Sequence, residues 1–180
     1  MKRISIIGTT GSGKTTLAAE VARILGSVHI ELDALNWRPG WTPVSGESFR
    51  RDVVTALDAP RWVTDGNYRS VRDLVWARAD CVLWLNYRLS LILTRLIRRT
   101  SRRILSAERC CNGNQESLRL TFSRDSIILW ALKTHGRLRR EYPPLLRQFA
   151  EQGRTVVIHR SPGETQAWLD EIRLARSASK

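Results

Sequence analysis

The segment Gly8-Thr9-Thr10-Gly11-Ser12-Gly13-Lys14-Thr15 constrains this chain more than any other. Glycines frame it at both ends, and the last runs directly into Lys14-Thr15. Glycine tolerates positive backbone angles and close approach, so the amides between Gly8 and Gly13 are free to turn inward toward phosphate oxygens. The apolar run from Arg3 to Ile7 leads into Gly8 and reads as a buried strand. From Lys14 to Leu25 the apolar positions Leu17, Val21, Ile24 and Leu25 recur at helical spacing, with Gly26 as the stop. A strand, a glycine loop and a helix N-terminus in that order form a cradle for a polyphosphate. Lys14 is expected to reach the outer phosphates, Thr15 to offer its hydroxyl to Mg²⁺, and Gly8 through Thr16 to make up the nucleotide-binding set.

The remaining pattern alternates strand and helix. Val28 to Leu32, Arg61 to Thr64, Asp80 to Leu85 and Thr155 to His159 read as four further strands. Glu47 to Leu57, Val71 to Ala77, Leu89 to about Ile104, Ser123 to Phe149 and Gly163 to Leu174 carry helical periodicity. Pro143-Pro144 is expected to break or restart the helix in which it falls. Asp33 to Gly46, rich in Trp, Pro and Gly, reads as an irregular loop, and Ser106 to Glu116 as an irregular segment. Such alternation implies an α/β fold with a parallel sheet, right-handed crossovers and a ligand site beyond the carboxyl ends of the strands.

With 180 residues, one domain spanning 1–180 is expected, with an acceptor-side loop at 33–46 and an arginine-rich lid at 95–122. The 30 Lys and Arg outweigh 17 Asp and Glu, for a net charge of +13, so the surface suits polyanions. Most of these cations are arginines, whose forked guanidinium matches phosphate. Cys81, Cys110 and Cys111 form no disulfide framework, which suggests a reducing, cytoplasmic setting. The apolar run near the N-terminus is too short for a signal peptide, and no stretch has the length of a membrane span.

Polar residues at the strand ends supply the candidate chemistry. Asp33 follows the second strand, where a carboxylate can orient or deprotonate an acceptor hydroxyl. Asp65 ends the third strand, in Thr64-Asp65-Gly66-Asn67-Tyr68-Arg69, where it can support Mg²⁺, while Arg69 can hold an anionic group of the substrate. Seven arginines lie between Arg95 and Arg119. Arg95 and either Arg98 or Arg99 are expected to close over the nucleotide phosphates and stabilise the transferring charge. Trp37 and Trp41 flank Arg38-Pro39-Gly40, placed either to stack on a ring of the substrate or to pack the loop onto the core. His29, His135 and His159 show no ligand spacing, and adjacent cysteines alone are weak support for zinc.

The Asp65-Gly66-x-x-Arg69 turn is similar to the corresponding turn of adenylate kinases, and Arg95-Leu96-Ile97-Arg98-Arg99 resembles the helix that leads into their lid. Four stretches more closely resemble the adenylate-kinase-like DNA topology modulation (FlaR-type) proteins: the P-loop, Leu32 to Trp41, Trp62 to Tyr68, and Asn112-Gly113-Asn114-Gln115-Glu116. The resemblance implies a three-layer P-loop NTPase fold of the nucleotide kinase type, with a five-stranded parallel sheet and a small helical lid. It also implies adenine contacts near Arg160 to Gly163. The chain lacks the Thr-Gly-Asp segment of true adenylate kinases and carries Asn67-Tyr68 in place of their Phe-Pro, which argues against AMP as acceptor. The placement of Asp33 looks more like that in shikimate and gluconate kinases.

The expected function is therefore transfer of a phosphoryl group from ATP, with Mg²⁺, to a nucleotide, nucleoside or other small hydroxyl compound. Lys14, Asp33, Arg95 and Arg99 are its catalytic candidates, Arg98 and Arg160 added nucleotide contacts, and Thr15 and Asp65 the metal side. Asp33, Trp37, Trp41 and Arg69 are the candidates for the acceptor side. The alternative is a nucleotide-dependent protein that binds nucleic acid and affects DNA topology, suggested by the charge and the arginine-rich middle.

Overall fold

A computed structural model of the chain describes residues 1–106, 109–110, 114–115 and 127–178, and side chains outside 103–126. Five strands form one parallel sheet: β1 (Arg3–Gly8), β2 (Val28–Glu31), β5 (Trp62–Asp65), β6 (Cys81–Leu85) and β9 (Thr155–His159). Their spatial order is β2-β5-β1-β6-β9, with β1 at the centre. Among the described residues seven helices accompany them: α1 (Lys14–Leu25), α2 (Leu32–Asn36), α3 (Gly46–Ala56), α4 (Arg72–Arg78), α5 (Leu89–Ser106), α6 (Ile127–Glu151) and α7 (Pro162–Ser177). This is a three-layer α/β architecture, with helices on both faces of the sheet.

Alternation along the strands builds the layers. In β6, Cys81, Leu83 and Leu85 pack on one face with Leu17, Val21, Ile92 and Leu169, from α1, α5 and α7. Val82 and Trp84 pack on the other with Phe49, Val75, Leu138 and Tyr142, from α3, α4 and α6. A parallel sheet covered on both faces needs such continuous apolar strands, and all five residues of β6 are buried.

Three expectations change. The Asp33–Gly46 region is ordered: α2 makes a single turn, and a hairpin pairs β3 (Trp37–Arg38) with β4 (Thr42–Pro43). The reversal uses left-handed backbone at Gly40 (φ 77°) and Trp41 (φ 56°). Pro143 and Pro144 lie inside an uninterrupted α6 rather than breaking it. Both prolines are exposed, so the Arg139 and Arg140 carbonyls they leave without amide partners lie on the solvated face. Tyr142, Leu146 and Phe149 hold the helix down on the opposite face. In the Ser106–Glu116 region, β7 (Arg109–Cys110) pairs with β8 (Asn114–Gln115). Cys111, Asn112, Gly113 and Glu116 lie outside the described residues, as does most of the expected lid beyond Ser106.

Candidate functional site

The parallel register sets the carboxyl ends of the strands side by side. Ile6 aligns with Asp65, Glu31 with Asp65, and Gly8 with Leu85. The glycine loop, Asp65 and the start of α2 therefore share one rim of the sheet. Asn67 clamps the end of β1: its Oδ1 accepts from the Gly8 amide at 3.1 Å, and its amide donates to the Gly8 carbonyl. The loop then turns through Gly11 and Gly13, at φ 82° and 95°. A Cβ at Gly11 would stand 3.1 Å from the Ile92 carbonyl and 3.2 Å from Leu96 Cβ, so α5 packs directly on the loop. Gly13 caps α1 without a side-chain hydrogen bond, which leaves the first amides of the helix available to an anion. The Ser12 hydroxyl is buried in the cradle with no hydrogen-bond partner, a donor suited to a phosphate oxygen.

Lys14 is half-buried and donates to the Thr9 carbonyl at 3.2 Å. Burial lowers its pKa, opposed by the charges of Asp33 and Asp65 and reinforced by that of Arg99. Asp33, Asp65 and Arg99 thus all lie within electrostatic reach of Lys14. Thr15 donates its hydroxyl to Asp65 Oδ2 at 2.6 Å. That direction leaves the Oγ1 lone pairs to face outward, as a hard cation requires. Among the described residues, no cluster of three or more His, Cys, Asp and Glu could hold a metal ion. A hydroxyl beside a carboxylate, as in the Thr15–Asp65 pair, fits Mg²⁺ held mainly by phosphates and water.

Asp33 is exposed on the first turn of α2, directly after β2, and its Oδ1 accepts from the Tyr68 hydroxyl at 2.7 Å. Trp37 and Trp41 meet edge to face at 5.9 Å, both half-buried, so each ring packs on the other within the hairpin. Arg69 is exposed and pairs at 3.8 Å with Glu141 of α6.

On α5, Arg95 and Arg99 are one turn apart. Arg95 donates to the Ser12 carbonyl at 3.2 Å and lies 5.5 Å from the Tyr87 ring. Arg98 is exposed and makes no polar contact among the described residues, whereas Arg95 touches the loop and the charge of Arg99 reaches Lys14. Arg160 lines a cavity of about 460 Å³ with Asn86, Arg88, Arg139 and Pro162, beside the end of β9. Its amide donates to Glu164 at 2.9 Å.

Three residues at the site carry no motif spacing. His29 Nε2 lies 2.9 Å from Asp65 Oδ1. His135 Nδ1 shares a hydrogen bond of 3.2 Å with the Thr9 hydroxyl, joining α6 to the loop, and burial lowers the pKa of its imidazole. Asn67 holds Gly8 as described. Only Asn67 had a sequence signal, two positions beyond Asp65 in the turn; the histidines reach the site through the fold.

No protein-family model matches the chain, and no curated protein sequence matches it. Among solved structures, a gluconokinase from Sinorhizobium meliloti 1021 is similar at 21% identity, covering 98% of this chain and 90% of that one with a TM-score of 0.51. A shikimate kinase from Acinetobacter baumannii, solved with shikimate, is similar at 16% identity over 100% and 95%, with a TM-score of 0.54. A sugar kinase from Janibacter sp. HTCC2649 is similar at 18% identity over 97% and 91%, with a TM-score of 0.50. The shared feature at these identities is the P-loop kinase fold. Among the described residues, no helix is long and apolar enough to cross a membrane.

Proposed function

We propose that this chain is an ATP-binding, Mg²⁺-dependent phosphotransferase acting on a small hydroxyl compound, in the adenylate-kinase-like group its four sequence stretches resemble. The observation that carries this reading is the convergence of Lys14, Thr15–Asp65 and an exposed, tethered Asp33 on one rim of the sheet. A polyphosphate site alone needs only the loop and the lysine. A carboxylate presented to solvent beside them is what an acceptor requires.

In this reading the Gly8 to Thr16 cradle and Lys14 hold the phosphates of ATP, and the base lies toward Arg160. Thr15, backed by Asp65, would hold Mg²⁺, which when bound would neutralise charge on the phosphates. The acceptor hydroxyl oxygen bonds to the γ-phosphorus as its proton passes to Asp33. The bond from that phosphorus to the β-phosphate bridging oxygen breaks, and ADP leaves. Arg95 and Arg99 stabilise the charge on the moving group. The short α2, the Trp37–Trp41 hairpin and Tyr68 form the acceptor wall; Asn67-Tyr68 in place of the Phe-Pro of adenylate kinases favours an acceptor other than AMP. The whole chain acts as one domain, with residues 95–122 as lid.

The test is transfer of labelled γ-phosphate from ATP, with Mg²⁺, to a panel of sugar acids, polyols, nucleosides and nucleotides. A labelled product that disappears in Asp33→Asn, with ATP binding retained, supports the reading. ATP turnover yielding only inorganic phosphate contradicts it.

A second reading, nucleotide-dependent binding of nucleic acid, has its own observation. A cavity of about 680 Å³ at the amino ends of the strands is lined by Lys2, Arg3, Arg78 and Arg154, with Asp80 as its acid. Asp80 spends its Oδ2 on the amides of Lys2 and Arg3, at 2.9 and 3.0 Å. Steeply salt-dependent binding of an oligonucleotide, weakened by Lys2→Gln, would favour this reading.

A further inference from the structure

We infer that His29 is a positioning residue for the phosphotransfer site: it fixes Asp65 so that one carboxylate oxygen alone faces Thr15 and the metal. This inference rests on the reading of Thr15 and Asp65 as the metal side of the site.

The sheet brings these groups together. In the β2–β5 register His29 pairs with Val63, which places Asp65 at the diagonal position two residues on. Side chains at i, j and j+2 project from the same face of a sheet. Val63 packs in the cluster that contains Leu17, Ala18 and Val21 of α1, so this is the α1 face, where Thr15 also lies. Ile30 projects to the opposite face and packs with Phe49 and Val53.

The hydrogen bonds fix the chemistry. Asp65 is buried, with a side-chain exposure of 5%, and each of its oxygens has one donor: Thr15 at Oδ2 and His29 at Oδ1. A carboxylate only accepts, so Nε2 of His29 carries the hydrogen. The nearest acid to Nδ1 is Glu31, at 3.9 Å, beyond hydrogen-bond range. A carboxylate held at both oxygens cannot rotate about its terminal torsion. Thr15 is therefore kept as a donor to Oδ2, with its lone pairs turned outward. Without His29, Oδ1 is a buried acceptor with no partner, and it competes for the Thr15 hydroxyl or turns toward Lys14. An imidazole is also an uneconomical choice for an edge strand, where a β-branched residue would pack as well.

The experiment is calorimetric titration of ATP at a series of Mg²⁺ concentrations and in EDTA, for wild type, His29→Ala and His29→Gln. The Gln side-chain amide places a donor near the position of Nε2. In His29→Ala the Mg²⁺ concentration for half-maximal enhancement of ATP binding should rise about tenfold, as for loss of other outer partners of a metal site. ATP affinity in EDTA should be unchanged, and His29→Gln should recover most of the loss. An unchanged Mg²⁺ dependence in His29→Ala overturns the inference. So does an equal loss of affinity with and without Mg²⁺, which marks a purely structural role. A wild type whose ATP binding is indifferent to Mg²⁺ overturns the reading of the metal side, and this inference with it.

Discussion

Tyr68 donates its hydroxyl hydrogen to Asp33 Oδ1 at 2.7 Å, across the gap between the turn after β5 and the first turn of α2. Burial, followed by the Asp33 charge, raises the tyrosine pKa well above its ordinary range, so the phenol stays a donor. Phe49 packs edge to face against its ring at 5.0 Å. The acceptor-side carboxylate is thereby held by a side chain that is itself wedged into the core.

Tyr68→Phe should leave the ring packing intact and release Asp33. Turnover should fall roughly ten- to a hundredfold, the worth of one hydrogen bond to a charged group, while ATP affinity stays unchanged. Steady-state kinetics set beside ATP calorimetry check this split.

Gly11→Ala should damage the cradle. It forces a side chain into φ 82° and sets Cβ 3.1 Å from the Ile92 carbonyl. A loss of about 1–2 kcal/mol is expected from the backbone alone, visible in the denaturation midpoint. Gly136→Ala is the contrast. It lies within α6 with nothing within 4 Å of the added Cβ, and it should stabilise by about 0.5–1 kcal/mol.

Arg95→Ala should lower turnover far more than ATP affinity, because a guanidinium over the cradle acts most strongly on charge that develops during transfer. Arg98→Ala, on the solvent side of the same helix, should lose much less. Equal losses of turnover and ATP affinity in Arg95→Ala would mean that the residue only binds nucleotide.

Acid stability should depend on Glu20, which joins α1 to α7. Its carboxylate accepts from Arg23 and from Arg173, each with a contact at 2.7 Å, and these bonds lower its pKa from 4.5 to about 2. The unfolded chain therefore takes up the proton first. The stabilisation is complete above pH 4.5 and is lost as pH falls through about 2. Thermal midpoints of Glu20→Gln should fall less than those of wild type across that window, and salt should narrow the difference.

The sheet and its cradle were legible because short apolar runs between glycines and amphipathic helices admit few alternatives. Helix α1 has the bounds that its spacing implies. The two prolines of α6 misled because local chemistry says break, while Tyr142, Leu146 and Phe149 bury enough surface to hold the helix through them. Asp33 and Asp65 were visible as acids at strand ends. Their partners were not: His29 meets Asp65 only through strand register, and His135 meets Thr9 across 126 positions of sequence. Spacing along the chain carries no trace of either contact. The hairpin at Trp37 was hidden because Trp41 adopts a backbone angle that favours glycine, held there by a partner ring.

The most direct test of the phosphotransferase reading is ³¹P NMR of the protein with ATP, Mg²⁺ and a mixture of small hydroxyl compounds. The expected result is a new phosphomonoester resonance that grows in step with ADP and is absent with Lys14→Ala and with Asp33→Asn. Growth of inorganic phosphate alone, equally fast in Asp33→Asn, would contradict the role given to Asp33 and with it the phosphotransferase itself.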